Sequence, residues 1–262
     1  MREGTLLEGK IGLIFGVANK RSIAWGIAQS LAGAGARLIF TYIPSIDKVE
    51  QNVRELAATL PGSVCLPCDV QNDEDIEAVF SRIDEEFGGL DILVHSVAFA
   101  PKAALDGRLV DTKRADFQTA LDISTYSLIP MARGAFPLME KRGGGSIITM
   151  TYGASQRVVQ KYNVMAVAKA GLETIVRYLA YEGGPSNIRV NAISAGPVKT
   201  LAARGISGFS AMEEHVRQVA PLQRATDAAE VGDTALFLCG PWGRGVTGQV
   251  VYCDSGHSIM MM

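Results

Sequence analysis

The sequence predicts an α/β fold: a doubly wound sheet of seven parallel strands with helices on both faces. Apolar strand-like runs alternate with amphipathic helical runs along the 262 residues, as a parallel sheet buried on both faces requires. The first such run ends in a glycine-bearing turn that opens a helix. No linker, repeat or low-complexity tract divides the chain, so a single domain over residues 1–262 is expected.

In order, IGLIFG (11–16) reads as the first strand and residues 22–34 as a helix. RLIFTY (37–42) is the second strand, followed by a helix over about 46–60. SVCLPC (63–68) precedes a helix at 72–87, and LDILVHS (90–96) is the fourth strand. A long helical segment is expected over roughly 115–141, bent by Pro130 and Pro137. GSIITMT (145–151), a helix over 162–182, IRVNAIS (188–194) and QVVYCD (249–254) complete the alternation.

Composition narrows the function. Hydrophobic residues make up 48% and charged residues 20%, and the net charge of −2 comes from interspersed residues. That balance offers no basic footprint for nucleic acid. No apolar run approaches the ~18 residues that span a bilayer, and MREGTLLEGK has no signal-peptide core, so a cytoplasmic protein is expected. Cys65 and Cys68 match C-x-x-C, but in a strand they point to opposite faces, which disfavours redox chemistry. His95, His215 and His257 show no metal-ligand spacing, and no metal is expected.

In a doubly wound sheet, ligands sit at the carboxyl ends of the strands. The first turn reads GVANKRSIAWGIA, with Gly16, Ser22 and Gly26 spaced G-x5-S-x3-G. Gly16 would let the chain turn over a diphosphate, Ser22 would put a hydroxyl beside the helix N-terminus, and Gly26 would let the helix approach the sheet. A plain strand–turn–helix without nucleotide is the alternative. Asp69, after the third strand, suits an adenine amino group or a helix cap. Ser96 to Ala98, after the fourth, are small enough for close backbone approach. After the second strand, TYIPSID carries neither an immediate acid nor a basic pair, which leans towards NADH; Lys20 and Arg21 keep NADPH open.

The helical run YNVMAVAK holds Tyr162 and Lys169 seven residues apart. At about 100° per residue these return to within roughly 20° of one face. There they could serve as proton donor and ribose-binding cation, or as a capping tyrosine and a lysine snorkelling to water. Tyr152, just past the fifth strand, falls at the same end of the sheet.

Here the sequence resembles a known family. GVANKRSIAWGIA, CDV, HSVAFAP, YNVMAVAKAGLE, RYLA and IRVNAISAGPVKTLAARGI occur in the order found in enoyl-acyl carrier protein reductases of the short-chain dehydrogenase/reductase superfamily. The resemblance runs from about residue 5 to residue 258. Most of that superfamily carries Tyr-x3-Lys; Tyr-x6-Lys, as here, marks the enoyl reductase branch, together with a second tyrosine matched by Tyr152.

The resemblance implies a Rossmann-type fold and NADH-dependent reduction of the trans-2 double bond of an enoyl thioester on acyl carrier protein. It also implies a homotetramer. It assigns Tyr162, Lys169 and Tyr152 to catalysis. Gly16, Ser22, Ile23, Ile43, Asp69, Val70, Val97, Lys169, Val198, Thr200 and Leu201 would bind the dinucleotide. Ala100, Tyr152, Tyr162, Ile206, Phe209 and Met212 would line the substrate site, under a helical lid over about 200–220. Three departures stand out. The basic residues that family members commonly carry near 207–211 are absent, leaving Arg204 or Arg217 to dock an acidic carrier. Gly153 replaces a larger residue, and Gln160 replaces a proline.

Overall fold

The computed structural model describes residues 6–200, 203 and 208–260. Its centre is a seven-stranded parallel sheet of order β3-β2-β1-β4-β5-β6-β7. The strands are β1 (Ile11–Phe15), β2 (Arg37–Tyr42), β3 (Val64–Pro67), β4 (Ile92–His95), β5 (Gly145–Thr151), β6 (Ile188–Ala195) and β7 (Val250–Cys253). Strand direction of travel reverses between β1 and β4, the switch point of a doubly wound sheet.

Alternation along each strand builds two cores. Ile14, Leu38, Phe40, Val94, Ile148 and Ile193 face one side. Leu13, Phe15, Ile39, Leu93, Ile147 and Val190 face the other. The first face is covered by α1 (Ile23–Gly33), α2 (Asp47–Ala57) and α9 (Ala228–Cys239). The second is covered by α3 (Asp73–Phe87), α6 (Leu128–Glu140) and α7 (Asn163–Gly183). Each fully buried Leu, Ile or Phe contributes about 1.5–3 kcal/mol. Cys65 packs with the first core and Cys68 lies in the second, so the C-x-x-C pair does straddle the sheet.

Three local expectations are corrected. The segment 115–141 is α5 (Arg114–Leu121), a π turn (Asp122–Tyr126) and α6, rather than one helix. The break lies where buried hydroxyls leave the helix for other partners: Ser124 pairs with Phe99 backbone and Thr125 donates to the Ala168 carbonyl. Pro130 falls in the first turn of α6, where a missing N–H costs little. Gly26 makes room for α9, not for the sheet. A Cβ there would lie 2.2 Å from the Ala228 carbonyl oxygen, and one at Gly232 would lie 2.5 Å from the Gly26 oxygen. α9 itself was not read from the sequence; it is opened by a reciprocal capping box between Asp227 and Glu230.

The sheet's amino-terminal edge is pinned by Asp91, 4% exposed, which accepts from Lys10, Arg142 and the Ile11 N–H. No described helix is long and apolar enough to cross a membrane.

Candidate active site

At the switch point, Gly16 ends β1 with φ +98° and an exposed backbone. Any Cβ there would meet the Ser96 carbonyl oxygen at 2.1 Å. Its glycine is therefore demanded first by the close approach of the β4 end and by the left-handed turn. Ser22 precedes α1 but does not cap it; its Oγ accepts from the Ala18 and Asn19 N–H groups at 3.0 and 3.1 Å. That shapes the turn and leaves the hydroxyl proton available.

α1 thus begins with neither a side-chain cap nor an acid in its first turn, whereas α3 and α9 have both. An uncapped, acid-free helix N-terminus at the switch point fits a diphosphate. Asp69 is not the cap of α3, a role that Asn72 fills; one Asp69 oxygen accepts from Gln71 N–H, and the other has no hydrogen-bond partner among the described residues. Ile23, Ile43, Val70 and Val97 are half-buried along this same edge. Val198 is different: its side chain is buried in the first core, and its carbonyl accepts from Thr200 N–H at 2.8 Å. Leu201, Ile206 and Arg204 lie outside the described residues.

The tyrosine–lysine pair sits against the end of β5. Tyr162 is the N-cap of α7 rather than its first residue, with φ −124° and ψ −8°. Lys161 before it is held at φ 61°, a left-handed conformation that a lysine adopts at a cost of about 1 kcal/mol or more. The Tyr162 ring stacks edge-on against Tyr152 at 5.1 Å between centroids. Its hydroxyl has no protein partner among the described residues, and burial followed by the neighbouring Tyr152 pushes its pKa well above the ordinary tyrosine range. It is a neutral donor. Tyr152 is likewise raised, by burial and then by Asp254.

Lys169 does not snorkel. It is 4% exposed and donates to the Met150 carbonyl of β5 at 2.7 Å. Burial lowers its pKa to about 8, against a smaller opposing pull from Glu173. His95, at the end of β4, is fully buried between Thr149 and Ser127 at 2.7 and 2.8 Å. Desolvation and the charge of Lys169 hold it down to about 3, so it is a neutral part of the wall.

The residues expected on the substrate side come from separate elements. Ala100 packs with Ala104 and Val164 under α4 (Lys102–Asp106), which Asn163 ties to the start of α7. Helix α8 (Phe209–Val219) starts after Gly208 at φ 85° and brings Met212 to the site, where the Tyr152 hydroxyl donates to its Sδ at 3.3 Å. Phe209 is half-buried on the same helix. Nothing lies within 4 Å of a Cβ placed on Gly153, so that glycine leaves open space beside Tyr152. Arg217 is not a free docking cation: it and Lys199 both pair with buried Glu213, each at 2.8 Å. A separate groove of about 460 Å³, between Gln71, Phe117 and Tyr126, includes none of Tyr152, Tyr162 and Lys169.

A doubly wound sheet with a Tyr-x6-Lys pair at the carboxyl end of its fifth strand defines an oxidoreductase of the short-chain dehydrogenase/reductase class. The model of one of its families, enoyl-(acyl carrier protein) reductase, matches residues 16–258. The chain belongs to that family. It is 54% identical over 257 residues to the enoyl-acyl-carrier-protein reductase (NADH) FabI of Nostoc sp., covering 98% of this chain and 99% of that one. It is 51% identical to the enzyme of that name from Aquifex aeolicus, covering 97% and 93%. Among solved structures it is similar to the Bacillus cereus enoyl-acyl carrier protein reductase with NADP+ and an indole naphthyridinone. There the TM-score is 0.95 at 50% identity, over 98% of this chain and 100% of that one. The Anaplasma phagocytophilum reductase in complex with NAD matches with TM-score 0.94 at 45% identity, over 100% and 98%.

Proposed function

We propose that this chain reduces the trans-2 double bond of an enoyl thioester on acyl carrier protein, with NADH, as a step in fatty-acid elongation. The observation that carries the reading is the neutral Tyr162 hydroxyl, without a partner among the described residues, beside Tyr152 and on the same helix as a buried Lys169. The reduced nicotinamide, when bound, would supply the hydride to the β-carbon, and a proton added at the α-carbon would complete the saturated thioester.

Tyr162 donates to the thioester oxygen, where charge develops as the double bond is reduced; a preorganised donor is worth most at that moment. Its raised pKa keeps the proton on the phenol until it is needed. Lys169 uses one N–H on Met150 and offers the others to the ribose hydroxyls. Tyr152 exchanges its weak thioether acceptor, Met212, for the thioester. Gly16, Ser22, Ile23, Ile43, Asp69, Val70, Val97, Val198, Thr200 and Leu201 hold the dinucleotide. Ala100, Ile206, Phe209 and Met212 receive the acyl chain beneath a lid over residues 200–220 of a single catalytic domain. NADH is favoured because Arg54, the cation stacked on Tyr42 at the end of β2, is already paired with Glu50.

The same reading includes a cytoplasmic homotetramer. Exposed Tyr178 and Tyr181 on α7, and Trp242 and Tyr252 near the β7 edge, supply apolar surface for contacts between copies. Purified protein given NADH or NADPH and crotonyl thioesters of coenzyme A and of carrier protein tests the activity. Nicotinamide oxidation that requires the enoyl thioester is expected; turnover of ketones alone would overturn it.

A further inference from the structure

The most distinctive polar group near the site that the reaction itself does not use is Glu173. It lies one helical turn beyond Lys169 on α7 and is 6% exposed. One oxygen, Oε1, accepts from two hydroxyls, Thr151 and Ser155, each at 2.6 Å. Thr151 is the last residue of β5, and Ser155 closes the 3-10 turn Gly153–Ser155. Tyr152 stands between these two anchors, and its carbonyl accepts from the Ser155 N–H at 3.0 Å. Consecutive turns of α7 therefore grip the same strand end: Lys169 at Met150, and Glu173 on both sides of Tyr152.

The ionisable surroundings of Lys169 are few. On β4, His95 is neutral. Tyr152 and Tyr162 have raised pKa values and are also neutral. At the β7 end, Asp254 acts on Tyr152 and Tyr252 is the group that senses Glu173. Among the described residues, only Glu173 opposes the desolvation of Lys169.

We infer that Glu173 is a positioning residue for the reduction, clamping the Tyr152 segment through Thr151 and Ser155 and placing its carboxyl group one helical turn from Lys169. This rests on the assignment of Tyr162, Lys169 and Tyr152 proposed above. The two duties separate chemically. In Glu173→Gln the amide oxygen still accepts from both hydroxyls, but the charge is gone. In Thr151→Val/Ser155→Ala the carboxyl group remains and both hydroxyls that clamp it are gone.

The test is kcat and KM for crotonyl-coenzyme A and NADH in the full chain, followed through the pH range where a buried lysine titrates. For Glu173→Gln, the alkaline limb of kcat/KM is expected to move down by roughly one pH unit. For the double variant, kcat is expected to fall about tenfold with the limb unmoved and KM for NADH unchanged. Glu173→Asp, which retains the charge, should restore the limb and guards against misfolding of the Gln variant. A limb at its wild-type position in Glu173→Gln, or wild-type kcat in the double variant, overturns the proposal. Tyr162→Phe measured alongside separates the two readings. Full turnover in that variant overturns the site and this inference together, whereas its loss beside unmoved Glu173 variants overturns this inference alone.

Discussion

Tyr162 and Lys169 are each set by burial, but in opposite directions. Desolvation disfavours whichever form is charged, so it holds the phenol neutral and pulls the ammonium down to about 8. Tyr162→Phe is expected to lower kcat by about 10²-fold or more while leaving NADH affinity within about twofold. Stopped-flow turnover and NADH fluorescence titration check the two halves. Free-enzyme kcat/KM should decline as pH rises past about 8, where Lys169 loses its proton. A pH–rate profile that stays flat to the range of an ordinary lysine would contradict this assignment.

Among the elements, two contacts govern how the site is framed. α1 and α9 cross closely because Gly26 and Gly232 have no Cβ, and Ser30 reaches Asp233 at 3.2 Å. Gly232→Ala forces a methyl against Ser30 and the Gly26 carbonyl, a predicted loss of about 1–3 kcal/mol. Urea unfolding would show it as a lower midpoint with unchanged slope. Helix α8 is held to the chain after β6 by Lys199–Glu213, and Glu213 is kept below the usual carboxylate range by hydrogen bonds from Lys199 and then Arg217. Glu213→Gln should raise hydrogen exchange in α8 selectively while leaving the central strands protected. Uniform exchange across the fold would refute a local latch.

At the scale of the molecule, stability carries the signature of buried His95. Its folded pKa, about 3, lies below the ordinary 6.5, so between these values the unfolded chain binds the proton and the native state does not. The stabilisation is full above pH 6.5 and is lost as pH falls. From about pH 7 to about pH 5 the loss should be on the order of 2 kcal/mol. Urea midpoints of the wild type and of His95→Gln, measured at both values, isolate it: the variant should show a shallower acid decline. Sedimentation should give four times the 27.9 kDa chain mass; a monomer would refute the assembly.

Apolar runs marked the seven strands because a parallel strand buried on both faces is written as a local, near-continuous apolar stretch. The Tyr-x6-Lys spacing marked the site because both residues lie on one short segment. The sequence by itself thus determined the sheet and the family. Tertiary structure alone decided that Gly26 answers to α9, that Tyr162 sits at the N-cap position of its helix, that Met212 covers Tyr152 and that Glu173 holds the Tyr152 segment. Each of those depends on a partner brought near by packing, or on the backbone turn at a helix end, and neither leaves a periodicity to read. Burial then set the charge states, because desolvation is a property of the assembled interior and not of any residue's neighbours along the chain.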